Sequence, residues 1–137
     1  MAFQNPSDET IKALLSRPQT VAVVGCSPNP ERDSHRIATL LQTRGHRVIP
    51  VNPGHQAILG EICYASLRDI PEQVDMVDIF RRSEHVAPIV DEAIEAGATV
   101  VWMQLGVIDE RAAAKAQLAG LTVVMDRCPA IEYRRLF

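Results

Sequence analysis

Five short apolar runs, rich in β-branched residues and all but the second followed by a helix-length amphipathic stretch, constrain this chain more than any other feature. They are Thr20–Val24, Arg47–Val51, Val74–Phe80, Thr99–Met103 and Leu121–Met125. Continuous apolar runs of this length belong in parallel sheets covered on both faces, because a sheet with one wet face would alternate polar and apolar residues. Helical periodicity intervenes between all of them except the second and third. Ser7 is placed to cap a first helix with Ile11, Leu14 and Leu15 on one face, ended by Pro18. A second helix begins near Asp33 or Ser34, buries Ile37, Leu40 and Leu41, and stops at Gly45. Ser83 opens a third with Val86, Ile89, Val90, Ala93 and Ile94 on one face, and Pro88 fits it only within the first turn. Asp109 caps a fourth helix running to Leu118, and a last one starts at about Ala130. Gly54 to Pro71 is poorly periodic and reads as a crossover with one short helix around Ser66. Strands alternating with helices imply right-handed βαβ units. The expectation is a single α/β domain over residues 1–137, Rossmann-like and doubly wound, with a mostly parallel sheet of about five strands and helices on both faces.

Composition narrows the function. The 137 residues have room for one ordinary domain, and 47% apolar against 23% charged residues is the balance of a packed protein. A formal charge of -3 gives no electrostatic reason to expect nucleic acid. No apolar run approaches the roughly 18 residues of a membrane span, and Met1 to Asp8 lacks the order of a signal peptide. Cys26, Cys63 and Cys128 are too few and too scattered for a disulfide scaffold or a zinc site. The expected compartment is the cytoplasm, with no metal and no membrane or nucleic-acid partner.

Chemistry should gather where the strands end, since a parallel sheet binds ligands in the crevice outside its carboxyl edge. The exits read Gly25-Cys-Ser27, Asn52-Pro-Gly54, Phe80-Arg-Arg82, Gln104-Leu-Gly106 and Asp126-Arg-Cys128. Gly25 would let the backbone turn and approach a phosphate, with Ser27 and the amides of the next helix as donors. Arg32 reads equally as a pyrophosphate or 3′-phosphate partner and as a solvated loop arginine. The fingerprint G-x-G-x-x-G is absent, and Asn52 stands where an NAD site would carry an acid. His35 and His46 read as surface residues, while His55 stays open as a phosphate contact. Asp75 and Asp78 fall on opposite strand faces and make no catalytic pair; one should sit at a loop boundary and the other be hydrogen-bonded. Cys26 reads as a small side chain that avoids blocking the ligand.

The segments Val21-Ala-Val-Val-Gly-Cys-Ser-Pro28, Pro50-Val-Asn-Pro-Gly54, Val77-Asp-Ile-Phe-Arg-Arg82, Val101-Trp-Met-Gln-Leu-Gly106 and Asp126-Arg-Cys128 resemble, in order, the motifs of the small CoA-binding protein family. That family is similar to the nucleotide-binding domain of the succinyl-CoA synthetase α subunit. The resemblance implies coenzyme A or an acyl-CoA as the small-molecule partner. It implies that Gly25, Ser27 and Arg32 face the phosphates, and that Asn52, Pro53 and His55 line the nucleotide end, His55 standing where the synthetase pattern has a lysine. Phe80, Arg81 and Gln104 would form the wall toward the pantetheine arm. The synthetase phosphohistidine lies in a second domain for which this chain has no residues, so synthetase chemistry is not expected of this chain alone.

No catalytic residue is assigned. Cys128 precedes Pro129, a favoured first helical position, and has Arg127 beside it; both features lower a thiol pKa, so it reads as a redox thiol or as a packing residue. The function expected is a non-catalytic CoA carrier, sensor or regulatory module. The alternatives are an NAD(P)-binding oxidoreductase-like protein and an accessory subunit of an acyl-CoA-handling enzyme.

Overall fold

In the computed structural model, which describes residues 3–137, the apolar runs become strands and the amphipathic stretches helices. The strands are β1 (Thr20–Val24), β2 (Arg47–Val51), β3 (Ala57–Ile58), β4 (Glu61–Ile62), β5 (Met76–Ile79), β6 (Val100–Met103) and β7 (Thr122–Met125). The helices are α1 (Asp8–Ser16), α2 (Asp33–Thr43), α3 (Val86–Glu95), α4 (Glu110–Leu118) and α5 (Pro129–Leu136). Five strands form one parallel sheet in the order β2-β1-β5-β6-β7. The chain thus winds outward in both directions from the β1–β5 pair, and the loops leaving those two strands diverge to open a crevice between them. This is the expected single α/β domain.

Alternate residues of each strand feed two cores. Val21, Val23, Met76, Val100, Trp102 and Val124 pack under α1, α2 and α5, whereas Ala22, Val77, Ile79, Val101 and Val123 pack under α3 and α4. A single 3-10 turn, Ser83–His85, precedes α3, which leaves Pro88 in that helix's first turn, where its missing N–H costs nothing. Another, Leu67–Asp69, has Ser66 at its N-cap and is the short helix expected in the crossover. The β3–β4 hairpin beside it was not foreseen. At the β7 edge, Asn5 imitates a strand partner: Nδ2 donates to the Met125 carbonyl at 2.9 Å, and Oδ1 accepts from the Met125 amide at 2.7 Å.

Three expectations need correction. His46 is buried, not superficial: its Nδ1 accepts from the Gln19 amide at 3.2 Å, and its Nε2 meets the Tyr133 hydroxyl at 2.8 Å. Burial holds its pKa below the usual histidine value. Asp75 does sit at a strand entrance, where its carboxylate accepts from the Thr20 amide at 2.8 Å. Asp78, however, is fully buried between Val23 and Trp102, and neither of its oxygens has a hydrogen-bond partner among the described residues. Burial pushes its pKa up to about 8, so the carboxyl is largely protonated at neutral pH. Leu40, expected in the core, is only half-buried.

Candidate functional site

Two adjoining hollows occupy the carboxyl edge of the sheet. The first, about 660 Å³, is polar and lies over the start of α2; Gly25, Ser27, Arg32, Ser34, Asn52 and Phe80 are among its walls. The second, about 610 Å³, is a mainly apolar groove between α2 and α5. Ile37, Leu40, Leu105, Val107 and Ile131 line it, together with Arg81, Gln104, Cys128 and Arg134. Asp33, Arg36 and Phe80 belong to both, so the polar cleft and the groove adjoin, and together they are the channel of this carboxyl edge.

Local chemistry explains the cleft. Gly25 has a φ of +86°, and a Cβ there would lie 2.6 Å from the Phe80 carbonyl oxygen. Glycine is thus required by the close approach of the β5 exit as well as by the turn itself. The following loop is held by its own side chains. The Ser27 amide donates to Ser34 Oγ at 2.9 Å, the Ser27 carbonyl meets His35 Nδ1 at 3.0 Å, and Asn52 Nδ2 donates to the Cys26 carbonyl at 2.8 Å. His35 is therefore half-buried against this loop and is no free surface residue. Asn52 spends its side chain on the loop. The Ser27 hydroxyl accepts from the Asn29 amide at 3.0 Å and donates its own proton to no described residue.

The helix starts differ in a telling way. Ser7 caps α1 and Asp109 caps α4, each accepting a backbone amide. Arg32 at the N-cap of α2 and Cys128 at the N-cap of α5 make no such bond. The amides of Ser34 and His35, and those of Ala130 and Ile131, have no acceptor among the described residues. Both uncapped starts open on the channel, where unpaired N–H groups and the helix dipole favour an anion. Arg32, Arg81 and Arg134 reach the same channel without an ion-pair partner among the described residues, whereas Arg36 is tied to Asp33.

Eight of the ten residues singled out in the sequence line the channel. Gly25, Ser27, Arg32 and Asn52 line the cleft; Arg81, Gln104 and Cys128 line the groove; Phe80 lines both. Pro53 lies with Arg81 on a separate hollow of about 130 Å³. His55, the tenth, is exposed and lines neither. Cys26 is fully buried in the core, and burial first of all, with Cys63 and Asp78 nearby, pushes its thiol up to about 12. Its small size serves packing and not ligand access. Gln104 is 6% exposed, and its Oε1 is buried with no partner among the described residues.

Sequence reasoning missed several residues that line or support the channel. Ser34 and Arg36 sit in a helix whose polar positions look like ordinary solvent-facing ones, and Arg134 likewise. The buried Trp102 donates from Nε1 to the Arg127 carbonyl at 2.9 Å and fixes the β7 exit from below. Asp126, at a φ of +60°, accepts the Gly106 amide on Oδ1 at 2.7 Å and so joins the β6 and β7 exits. An aspartate immediately after a strand was the available signal, since Asp tolerates the left-handed region better than most residues.

A doubly wound sheet with an anion-receptive cleft at its switch point defines a nucleotide-binding type of domain. More narrowly, the chain belongs to the CoA binding domain family, whose model matches residues 19–134. It is similar to the Bacillus subtilis protein YneT, named as uncharacterized, with 41% identity over 126 residues, 92% of this chain and 93% of that one. A solved structure of a hypothetical protein from Pyrococcus horikoshii superposes with a TM-score of 0.91 at 39% identity, covering 99% of each chain. An ADP-forming acetate–CoA ligase from Archaeoglobus fulgidus is 35% identical over 94 residues, 66% of this chain but only 14% of the ligase. No helix among the described residues is long and apolar enough to cross a membrane.

Proposed function

We propose that the protein binds coenzyme A or an acyl-CoA in the channel at the carboxyl edge of its sheet, as a carrier, sensor or regulatory module without its own catalysis. The adjacency of the polar cleft and the apolar groove, which share Asp33, Arg36 and Phe80, supports this reading. A ligand with a polyphosphate head and a long, mostly apolar arm fits a channel polar at one end and apolar at the other. The phosphates would take the uncapped start of α2, the Ser27 hydroxyl and Arg32. Pro53 and His55, beyond the cleft, would flank the nucleotide end. Phe80 and Arg81 would turn the arm into the groove, past Gln104 in its wall. Asn52 argues against NAD, because its side chain is committed to the Cys26 carbonyl and presents no carboxylate to a ribose diol.

A second reading, an accessory part of an acyl-CoA-handling enzyme, draws on the ligase, in which the matching segment is a small fraction of a much longer chain. Calorimetry of the purified protein tests the first reading: CoA is expected to bind more tightly than NAD or NADP. Equal or tighter binding of NAD would overturn it.

A further inference from the structure

We propose that a proton-operated latch closes the groove: uptake of one proton by His46 frees Tyr133, lets α5 move away from α2, and so releases a ligand held between them. The effect on the ligand rests on the reading above, whereas the latch rests on the bonds that His46 makes. A backbone amide can only donate, so the Gln19 amide at 3.2 Å obliges Nδ1 to accept. The ring proton therefore stands on Nε2, which donates to the Tyr133 hydroxyl at 2.8 Å, and that hydroxyl donates in turn to the Leu15 carbonyl at 3.3 Å. Both side chains are buried. An imidazolium has no lone pair for the Gln19 amide and would set two N–H groups face to face.

Tyr133 carries this to the groove. On α2, Leu40 lines the groove and Arg44 follows it by one turn; on α5, Ala130 lines it and Tyr133 follows by one turn. There the Arg44 guanidinium lies 4.3 Å from the centre of the Tyr133 ring. The two walls are thus fastened by Arg44 on Tyr133, and Tyr133 is itself held by His46. The surrounding charges give an imidazolium no support. From α2 comes the Arg44 cation, and from α1 Lys12, 5.5 Å from the centre of the Phe137 ring. The acids of this end are spent: Asp75 on the Thr20 amide, Glu72 on Arg47, and Asp8 and Glu132 on Arg135. Arg135 holds the Asp8 carboxyl below its ordinary 3.8. That pair therefore survives at pH 5.0 and keeps α5 tied to α1 while its hold on α2 loosens.

Burial keeps the closed His46 below its ordinary 6.5, so the open form binds the extra proton and gains as pH falls through that value. One such group moves the opening equilibrium by at most about thirty-fold at pH 5.0. Hydrogen exchange of the full chain at pH 7.5 and 5.0, corrected for the intrinsic pH dependence of exchange, should show about ten-fold less protection in α5 at the lower pH, with α3 and α4 unchanged. Dephospho-CoA, which lacks the titrating 3′-phosphate, should bind about ten-fold more weakly there. Both losses should disappear in His46→Gln, whose amide accepts and donates but takes up no proton. They should disappear equally in Tyr133→Phe, which keeps a ring over Arg44, severs α5 from His46, and serves if the first variant does not fold. Equal α5 protection at the two pH values would overturn the latch, as would an equal loss in α3 and α4 or an undiminished response in the variants. Dephospho-CoA bound no more weakly at pH 5.0 by the wild type than by the variants would overturn the release. Failure of the underlying reading looks different: α5 loosens in acid as expected, yet neither CoA nor dephospho-CoA binds at either pH.

Discussion

Arg32 stands at a helix start, pairs with no acid among the described residues, and lines the polar cleft. A hydrogen bond to a charged group is worth roughly 1.5–3 kcal/mol, so Arg32→Ala is expected to weaken CoA by about ten-fold or more in calorimetry. Dephospho-CoA then distinguishes its partner: if Arg32 holds the 3′-phosphate, the variant loses the preference between the two ligands. Arg81→Ala should also weaken binding while Tm stays nearly unchanged, since the side chain is exposed and holds nothing else. Wild-type affinity in both variants would remove the phosphates from this cleft. Cys128 lies in the groove along the path proposed for the arm. Its thiolate can attack CoA disulfide, forming one protein–CoA disulfide and releasing one CoA thiolate. Intact-mass measurement should show a single adduct, reversed by dithiothreitol, that is lost in Cys128→Ala and kept in Cys63→Ala. An adduct surviving in Cys128→Ala would make Cys128 a packing residue only.

At the scale of elements, β5 carries an unusual load. A fully buried carboxyl in its centre has a folded pKa of about 8, against an ordinary value of 3.8. Below the ordinary value both folded and unfolded forms are protonated and nothing is lost. As pH rises through roughly 4 to 8 the unfolded chain ionises while the folded one resists, and stability falls. Asp78→Asn removes that dependence, so its Tm relative to wild type should climb between pH 5 and pH 9; a constant difference would mean that Asp78 finds a partner in solution. Neither this burial nor that of His46 was legible from the chain, because both depend on which residues other strands and helices bring overhead. The main strands and helices were legible, since five apolar runs and the stripe of Ile11, Leu14 and Leu15 report periodicity directly. The β3–β4 hairpin was not, for two-residue strands have no period to detect. Of the channel, the strand-exit residues Gly25, Ser27, Phe80 and Gln104 were legible, because a parallel sheet sends every exit to one edge. Arg36, Ile131 and Arg134 were not, because only the packing of α2 against α5 makes a groove of them.

For the molecule as a whole, the two sheet edges are guarded differently. At β2 the chain itself folds back, with the Tyr64 amide donating to the Pro50 carbonyl at 3.1 Å. At β7 a single side chain, Asn5, takes both bonds of one residue. Open strand edges invite pairing with another copy. Asn5→Ala should therefore cost about 1–2 kcal/mol in chemical unfolding, from two hydrogen bonds, and increase self-association in sedimentation. An unchanged midpoint would show that the rest of the segment covers the edge unaided.

The missing caps on α2 and α5 have a cost of their own. A serine or aspartate at position 32 or 128 would contribute about 1 kcal/mol to the empty protein, and the chain forgoes it at both. Any programme of thermostabilisation would choose these two positions early and would be rewarded by a higher melting temperature. The same substitutions would put a resident oxygen where an incoming anion belongs. Robustness of the empty protein and retention of its ligand are therefore opposed at positions 32 and 128, and selection for one should be visible as erosion of the other.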